Sequence, residues 1–599
     1  MKKKTLKRVV SSVLGMSLFM SSLTGCGGKT DTSTSTTAST TGTGTDAATE
    51  SAYEETLVLD VFDSQANYQG MQSGWFGEYI KKKFNIELNI IAPNVAGGGD
   101  TLFQTRSANG DLGDIIITNL DQSRLKDLVE AELVLDMSEY MDSCTNLQNY
   151  MTAIESASAL AEKDGIWAIP SEVSTMSATE PCDATEPTVA PSLRWDIYGQ
   201  IGYPEMKNTD DLLQVLKDMQ DAAGTSDSGK QVYAISLFKD WDGDAMQNVD
   251  GIKGLYGYQQ VGFCMAKVDG TDIQSILDED GIYYKSLKFF FDANQLGIVD
   301  PESTTQDFST LSSKYADGAV LYSLWPWLGA GQYNTAENTS QGKGFATAII
   351  DDMQCLTYGS MPYGKVGTGI MIGSKCEDPA RVAEFIDWLY SPEGVMIAQT
   401  ISANTCGPEG LTWEMKDGEP VLTDFGVEAF VNKTEDLQVP DEWGGGSYSD
   451  GACQLNYKSV GLVDMTPDGS MYYNYLKWED YQEKTATALT QDWSEHNNGA
   501  LNTIDLLKSE DKLLVLPGTN YATPEYSTDI NTIKGQCKQV IVEYSWKMVF
   551  AEDEAEFNAL FQEMKETAEG LGFNDVLAVD KQNCEDQYKA FEEAKSASN

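Results

Sequence analysis

Histidine is almost absent from this chain of 599 residues, since His496 is the only one. A Ser–His–Asp or Cys–His mechanism would have to use that residue, and metal sites built on several histidines are excluded. The ten cysteines show no Cys-x-x-Cys spacing, so neither a zinc ribbon nor a thioredoxin motif is indicated. Apart from Cys26 they number nine, which cannot all pair within one chain, and we expect them to be mostly buried and free, as suits a low-oxygen habitat. We expect no metal and no other cofactor.

Basic residues are scarce as well. The chain has 41 Lys and Arg against 92 Asp and Glu, for a net charge of -51. Such a surface repels nucleic acid and anionic lipid headgroups, so we expect no nucleic-acid partner. It also disfavours polyanionic ligands, unless a local basic pocket overrides the field. Solubility alone is the alternative explanation of the charge.

Long apolar runs are missing after the first residues. Lys2, Lys3 and Lys4 precede an uncharged apolar stretch at 9–20, which is too short to span a bilayer stably. The sequence Leu-Thr-Gly-Cys at 23–26 resembles the lipobox of bacterial lipoproteins, in which the cysteine thiol carries a diacylglyceryl group. We expect a signal peptide at 1–25 and lipid on Cys26; an ordinary signal peptide with a chance cysteine is the alternative.

A polar linker follows the lipid anchor expected at Cys26. Residues 27–51 are mostly Thr, Ser, Gly and Ala, which cannot bury a core, so we expect 26–52 to be a disordered tether. We therefore expect the folded part of the chain to begin near Tyr53. The remaining chain is long enough for several domains.

Strand and helix patterns alternate in the first part of that chain. The patterns predict strands at 57–62, 86–91 and 114–118, separated by helices at 74–83 and 100–107. This order favours an α/β fold with a parallel, helix-covered sheet. Later patterns predict helices at 210–221, with Thr209 as N-cap, and at 378–390 and 555–571.

A series of short motifs then makes a family recognisable. The motifs are NGDLGDI at 109–115, DGIWAIP at 164–170, Leu193 to Gly202 with the helix start at 209–213, GAV at 318–320 with WPW at 325–327, 376–394, and CGPEG at 406–410 with Trp413. Their order resembles that of the extracellular solute-binding proteins of ABC importers for sugars and oligosaccharides, in the long lipoprotein branch of Gram-positive bacteria. Gly113 stands where the family has proline, and the helix start lacks the family's glutamate.

The resemblance implies a two-lobe periplasmic-binding-protein-like fold of type II, with a hinge formed by several chain crossings. Ligand would bind in the cleft, the lobes would close over it, and the closed form would dock on the permease. We expect a monomer, divided as lobe 1 at 53–172, lobe 2 at 173–355, a return to lobe 1 at 356–410, and completion of lobe 2 with C-terminal helices at 411–599.

Candidate ligand-binding residues combine aromatic rings, for the C–H face of a sugar, with polar groups for its hydroxyls. By the family match Trp325 is the first candidate and Trp327 the second; the alternative is that both rings belong to the core. The loop after the first strand follows, with Asp63, Asn67 and Tyr68, because such loops face the cleft in open α/β sheets.

Two further clusters set tryptophan among carboxylates. Trp241 and Asp242 lie in the run 239–244, which superficially resembles an EF-hand loop but lacks its glycine and glutamate spacing, so bound calcium is only an alternative. Trp443 lies in a glycine-rich run at 441–448. Asn119 and Glu172, each just after a strand or motif, complete the candidates.

We predict that the chain is a non-catalytic binding protein, anchored on the extracellular face of the cytoplasmic membrane. We expect it to capture a carbohydrate, with an oligosaccharide as the favoured kind, and to deliver it to ABC permease subunits. A cell-surface glycoside hydrolase or lyase is an alternative, since carboxylates abound, but no motif singles out a catalytic pair. A sensor subunit that presents ligand to a receptor is another.

Overall fold

The computed structural model describes residues 52–96, 100–120, 123–461, 463–521 and 523–597. The predicted signal peptide at 1–25, Cys26 and nearly all of the tether predicted at 26–52 lie outside these residues.

The strands of the described chain are β1 Leu57–Asp63, β2 Gly70–Met71, β3 Ile86–Ile91, β4 Ile115–Thr118, β5 Ile169–Ser171, β6 Ser192–Arg194, β7 Tyr258–Val261, β8 Cys264–Lys267, β9 Ile273–Ser275, β10 Tyr322–Ser323, β11 Phe345–Thr347, β12 Cys355–Tyr358, β13 Lys365–Ile372, β14 Trp413–Lys416, β15 Glu419–Leu422 and β16 Leu513–Leu516.

The helices are α1 Gly74–Phe84, α2 Pro93–Ala96, α3 Asp100–Ala108, α4 Arg124–Glu130, α5 Met151–Ser158, α6 Trp195–Gln200, α7 Thr209–Ala223, α8 Asp250–Lys253, α9 Ile282–Gln295, α10 Phe308–Ala316, α11 Pro326–Tyr333, α12 Ala336–Ser340, α13 Pro379–Leu389, α14 Pro392–Ala398, α15 Asp424–Gly426, α16 Glu479–Lys484, α17 Ala488–His496, α18 Thr503–Ser509, α19 Thr528–Val549, α20 Glu554–Gly570 and α21 Phe573–Ala597.

A six-stranded sheet forms the first lobe, in the order β2-β3-β1-β4-β13-β5. Strands β3, β1 and β4 run parallel, and Val61 of β1 lies opposite both Ile90 and Ile115. These are the three strands that the sequence pattern predicts, to within one residue. Strand β13 enters from a distant part of the chain and pairs antiparallel with both β4 and β5.

Both faces of this sheet are covered. Leu59 and Val61 of β1 point into one apolar core. Phe62, the next residue of the strand, points into another. Strand β4 divides in the same way, with Ile115 and Ile117 on one face and Ile116 on the other. Continuous apolar strands are typical of sheets buried on both sides, because successive side chains alternate between the faces.

Helix α7 shows how local polar groups set a boundary. The N-cap is Asn208 and not Thr209, since the Asn208 side chain accepts hydrogen bonds from the amides of Asp210 at 3.0 Å and Asp211 at 3.1 Å. Asparagine is among the best N-cap residues, and here it stands one position before the threonine that the pattern indicated. The carboxylates of the first turn also suit the positive end of the helix dipole.

A second core forms around the three-stranded sheet β10-β6-β11 and the long helices α9, α19 and α20. Its buried residues come from 189–355 and again from 489–576. In the described chain, the backbone passes between the two cores over 173–189, 355–366 and 478–489.

The chain returns to the second lobe at 478–489, later than the return at 411 that was predicted from the sequence. Residues 411–478, expected to complete the second lobe, supply Trp413, Tyr457 and Trp478 to the first core. The ring of Tyr448 in this segment stacks at 5.6 Å on that of Trp75 in α1, so the segment is folded onto the first lobe. The second lobe resumes after the passage at 478–489. Among all described residues, no helix combines the length and apolar character needed to cross a bilayer.

The place where β13 ends gives a test of this architecture. A Cβ at Gly373 would lie 1.9 Å from the carbonyl oxygen of Gly113, so Gly373→Ala must push the two backbones apart. We expect it to lower the free energy of unfolding by about 2–4 kcal/mol in urea denaturation. Gly367→Ala in the same strand is the control, because its Cβ would meet no atom closer than 4.0 Å. Equal stability of the two variants would contradict this packing.

Candidate functional site

Three tryptophans singled out in the sequence meet on the second lobe. The ring centroids of Trp241 and Trp325 lie 5.8 Å apart, those of Trp241 and Trp327 6.0 Å, and those of Trp325 and Trp327 6.4 Å. Phe308, at the start of α10, stacks on Trp241 at 4.6 Å. We call Trp241, Phe308, Trp325 and Trp327 the aromatic cluster.

Local structure explains how the cluster is presented. Pro326 occupies the first turn of α11, where its fixed φ favours a helix start and its missing N–H costs nothing. The Ser323 hydroxyl donates to the Trp325 carbonyl at 2.6 Å and accepts from the Gly329 amide at 2.9 Å. Trp325 is 5% exposed, whereas Trp241 and Trp327 are 39% and 48% exposed. Trp325 is thus mainly a core residue with one accessible edge, and the other two rings face solvent.

The accessible edge of Trp325 lines a polar pocket of about 380 Å³, which we call the Trp325 pocket. The lining residues are Thr188, Val189, Asp244, Gln247, Asp250, Lys253, Gly254, Gln259, Gln260, Gly262, Trp325, Leu356 and Tyr358.

Ion pairs hold the acidic groups of this pocket in place. Asp244 pairs with Lys534 of α19 at 2.7 Å, and Asp250 pairs with the buried Lys253 at 2.7 Å. The side-chain amide of Gln247 also donates to Asp250. Each acidic side chain lies beside a lysine, so the pocket offers planar acceptors and donors without a large net charge.

A second pocket of about 250 Å³ adjoins the first at Tyr358, which lines both. We call it the hinge pocket, because it lies where the chain passes between the cores. Its lining residues are Glu172, Ser174, Cys182, Tyr358, Ser360, Met361, Lys365, Gly461, Val463 and Asp464. Tyr358 is 42% exposed, so its ring is accessible from the surface. The two pockets together are called the groove below.

Glu172 reaches the groove through an unusual backbone conformation. Its φ is +50°, a left-handed value that few non-glycine residues adopt and that is often associated with functional sites. Its amide donates to the carbonyl of Lys458 at 2.9 Å, and its carboxylate pairs with Lys365 at 3.0 Å. The predicted candidate Glu172 therefore lies in the hinge pocket.

Asp464 is the buried acid of the hinge pocket. Its carboxylate accepts from the Ser174 hydroxyl at 2.5 Å and from the Thr175 amide at 3.0 Å. Burial raises the pKa of Asp464 to about 6, and these hydrogen bonds only partly oppose that rise. The acid is 1% exposed and fully engaged, so it joins the first passage between the cores to the segment around 464.

The structure places the candidates from the first-strand loop away from the groove. Asp63 is fully buried, and its carboxylate accepts from the amides of Gln65 at 2.9 Å and Asn456 at 3.3 Å. Burial raises its pKa to about 6. Tyr68 donates to the Met71 carbonyl at 2.7 Å, and Asn67 is exposed. These residues shape the loop itself, and none of them lines either pocket of the groove.

Asp242, Trp443 and Asn119 are also outside the groove. The Asp242 carboxylate accepts from the Trp546 indole at 2.7 Å and the Gln247 amide at 3.0 Å, so it joins its turn to α19. Burial raises the pKa of Asp242. Trp443 packs against the core of the first lobe, and Asn119 is half-buried after β4. Because both Asp242 oxygens accept protein hydrogen bonds, that carboxylate is poorly available to calcium. Nowhere in the described ranges do three His, Cys, Asp or Glu side chains converge as a metal site.

Sequence reasoning missed most of the polar groove residues. Gln259 and Gln260 lie on β7 between Gly257 and Gly262, both of which have positive φ, and a pair of amides between two such turns is a usable signal. Tyr358 ends the otherwise buried strand β12, which is the position of a strand-end site residue. Asp250 and Lys253 gave no signal, because their pairing depends on the tertiary position of α8.

Comparisons with known proteins agree with this architecture. No protein-family model and no curated protein matched the chain. Solved structures did match, among them the calcium-free alginate-binding protein AlgQ2, at 14% identity, with 90% of this chain and 100% of that chain covered and a TM-score of 0.51. The chain has the fold of an ABC-transporter solute-binding protein.

Two further solute-binding proteins extend the likeness. FusA from Streptococcus pneumoniae, in complex with kestose, is 15% identical, with 89% of this chain and 99% of that chain covered and a TM-score of 0.53. The HMO-binding solute-binding protein from Bifidobacterium longum infantis is 12% identical, with the same coverage and a TM-score of 0.52. The predicted two-lobe α/β fold is confirmed, and identities this low extend no further than the fold.

Tyr358 gives the sharpest test of the groove as a binding site. Because its ring lines both pockets and is exposed, Tyr358→Ala should raise the dissociation constant for a bound oligosaccharide about tenfold or more, a loss of about 1.4 kcal/mol. Isothermal titration measures the change. Tyr544→Ala on α19, which does not line the groove, should bind like the parent protein. Unchanged affinity in Tyr358→Ala would show that ligand binds elsewhere.

Proposed function

We propose that this protein captures an oligosaccharide in the groove and delivers it to the permease subunits of an ABC importer, without catalysing a reaction. The observation that carries the proposal is the groove itself. It sets the rings of Trp325 and Tyr358 beside carboxylates and amides, at the place where the chain passes between the lobes. Pockets for small ligands commonly combine an aromatic lining with a few placed polar groups.

The chemistry of the groove suits a neutral sugar chain. Asp244, Asp250 and Glu172 each have a lysine partner, so the groove holds acceptors for hydroxyl groups without an unbalanced field. The protein as a whole carries a net charge of -51, which would repel a polyanion approaching the same groove. Volumes of about 380 and 250 Å³ leave room for more than one sugar ring.

The solved structures support the ligand class only in outline. AlgQ2 is an alginate-binding protein, FusA was solved in complex with kestose, and the third protein binds HMO, so one fold serves several kinds of sugar chain. All three are described as binding proteins, which supports a binding function here indirectly. The exposed rings of Trp241 and Trp327 border Trp325, and we assign them to an extension of the sugar-binding surface.

The carboxylates of the groove also fit binding better than hydrolysis. A general acid must be free to protonate a glycosidic oxygen, yet Asp464, the acid with a raised pKa, is buried with both oxygens engaged. Asp244 and Asp250 are each engaged by a lysine, Lys534 and Lys253, and neither of these pairs is one of two carboxyl groups set across a glycosidic bond.

A binding panel tests the proposal. Titration with neutral oligosaccharides of different linkage should reveal at least one ligand bound with micromolar or tighter affinity, and chromatography of the recovered ligand should show its chain length unchanged. Absence of binding by every neutral glycan, with tight binding of a peptide instead, would overturn the sugar assignment. Shortened chains would replace the binding function with a hydrolytic one.

The proposed anchor has its own test. Lipid on Cys26 would confine the protein near its permease and raise the effective concentration of loaded protein there. Cys26→Ala should therefore move the protein from the membrane fraction to the medium, as measured by fractionation and immunoblotting of the producing cells. A Cys144→Ala variant, in which a buried core thiol is changed, should stay with the membrane. Membrane retention of Cys26→Ala would contradict lipid anchoring.

A further inference from the structure

Two buried cysteines meet behind the Trp325 pocket. Cys264 begins β8, Cys584 lies in α21, and with Ala266 they form a small apolar cluster of their own. Both are at most 1% exposed, and their side chains pack in the same cluster. Of the nine free cysteines of the described chain, these two share a cluster that has one further buried member, an alanine.

Polar contacts hold the helix and the strands around this pair in a defined position. The carboxylate of Asp580 accepts from the Phe263 amide at 2.7 Å, and the Tyr588 hydroxyl donates to the Lys267 carbonyl. Asp580 and Tyr588 lie one helical turn before and after Cys584 in α21. Their partners Phe263 and Lys267 lie on either side of Cys264 along the strand. The approach of strand and helix is therefore fixed on both sides of the two cysteines.

The same strands form a wall of the groove. Gln259, Gln260 and Gly262 line the Trp325 pocket, and the side chain of Gln259 is held by Gln587 of α21 at 2.8 Å. Strand β7 pairs with β8, so Cys264 lies opposite Val261 in the adjacent strand. A covalent link from Cys264 to α21 would fix the position of this wall.

We propose that Cys264 and Cys584 form a disulfide bond when the chain folds in an oxidising compartment, which ties the β7–β8 wall of the Trp325 pocket to α21. The bond forms by thiol–disulfide exchange with a small or protein disulfide. Two cysteine thiols give up two protons and two electrons, one S–S bond forms in the chain, and the S–S bond of the oxidant becomes two thiols.

The timing of this reaction follows from the burial of the pair. The hydrogen bond from Cys584 and desolvation raise the pKa of the Cys264 thiol, and a buried thiol that stays protonated is a poor nucleophile. The exchange therefore takes place before α21 docks on β8, while both thiols are accessible. The proposal departs, for this pair, from the free cysteines and low-oxygen habitat expected from the sequence, and it rests on the proposed extracellular location, since disulfides persist in oxidising surroundings outside the cell.

Refolding tests the bond directly and does not depend on the sugar-binding function. The denatured, reduced protein is refolded with oxidised and reduced glutathione, alkylated in denaturant, digested and examined by mass spectrometry. We expect a peptide that joins Cys264 to Cys584 and loss of two alkylated sites relative to the reduced sample. Full alkylation of all described cysteines, or linkage of these two to other cysteines instead, would overturn the proposal.

A stability measurement shows that the bond acts at this place. The oxidised protein should unfold a few degrees higher than the reduced protein, because the bond closes a long loop of the chain. Cys584→Ala should remove this difference between oxidised and reduced samples. Cys537→Ala is the matched control, since Cys537 is also a buried thiol of a C-terminal helix but donates to the Ala568 carbonyl, and it should keep the difference. An oxidation-dependent shift that persists in Cys584→Ala would contradict the assignment.

Discussion

The return of β13 to the first sheet is the constraint on which the rest of the structure depends. Strands β4 and β5 are separated in the sheet by a strand that comes about 190 residues after β5 along the chain. The first lobe cannot be completed until the chain has built most of the second lobe and passed back. The two lobes are therefore joined by necessity, and the backbone segments that join them form the walls of the hinge pocket. Buried parallel and antiparallel pairing leaves the sheet no alternative register, because a one-residue slip would exchange its two cores.

Two buried acids each accept hydrogen bonds from distant parts of the chain. Asp464 joins Ser174 and Thr175 of the first passage, while Asp63 joins the loop after β1 to Asn456. Both acids have pKa values raised by burial to about 6, which is the cost of placing carboxyl groups inside. The acids that face the Trp325 pocket are instead balanced by Lys534 and Lys253. The two buried acids are thus bound by amides and hydroxyls, whereas the acids of the Trp325 pocket are bound by the ammonium groups of lysines.

Much of the fold could be predicted from local pattern. Strand β4 is a continuous apolar run because both of its faces are buried, whereas β1 and β3 alternate buried apolar residues with polar ones. Both patterns gave the strand positions to within one residue. The grouping of Trp325 and Trp327 was also accessible, since Pro326 between them starts a helix. The role of Asp63 could not be predicted, because its carboxylate accepts a hydrogen bond from the amide of Asn456, which lies far along the chain. Gln259, Asp250 and Tyr358 converge only through tertiary packing, and no local pattern distinguishes them from surface residues. The assignment of 411–478 to the second lobe differed for the same reason: Trp413 and Trp478 find their partners in the first core.

Hydrogen–deuterium exchange with a saturating neutral oligosaccharide tests the central claim most directly, because it maps the contact surface without a change of sequence. The account predicts slower exchange in the segments that line the groove, at 247–262, 325–327 and 355–365. Slower exchange confined to the loop at 63–68 or to the surface of α19, with those segments unchanged, would contradict it.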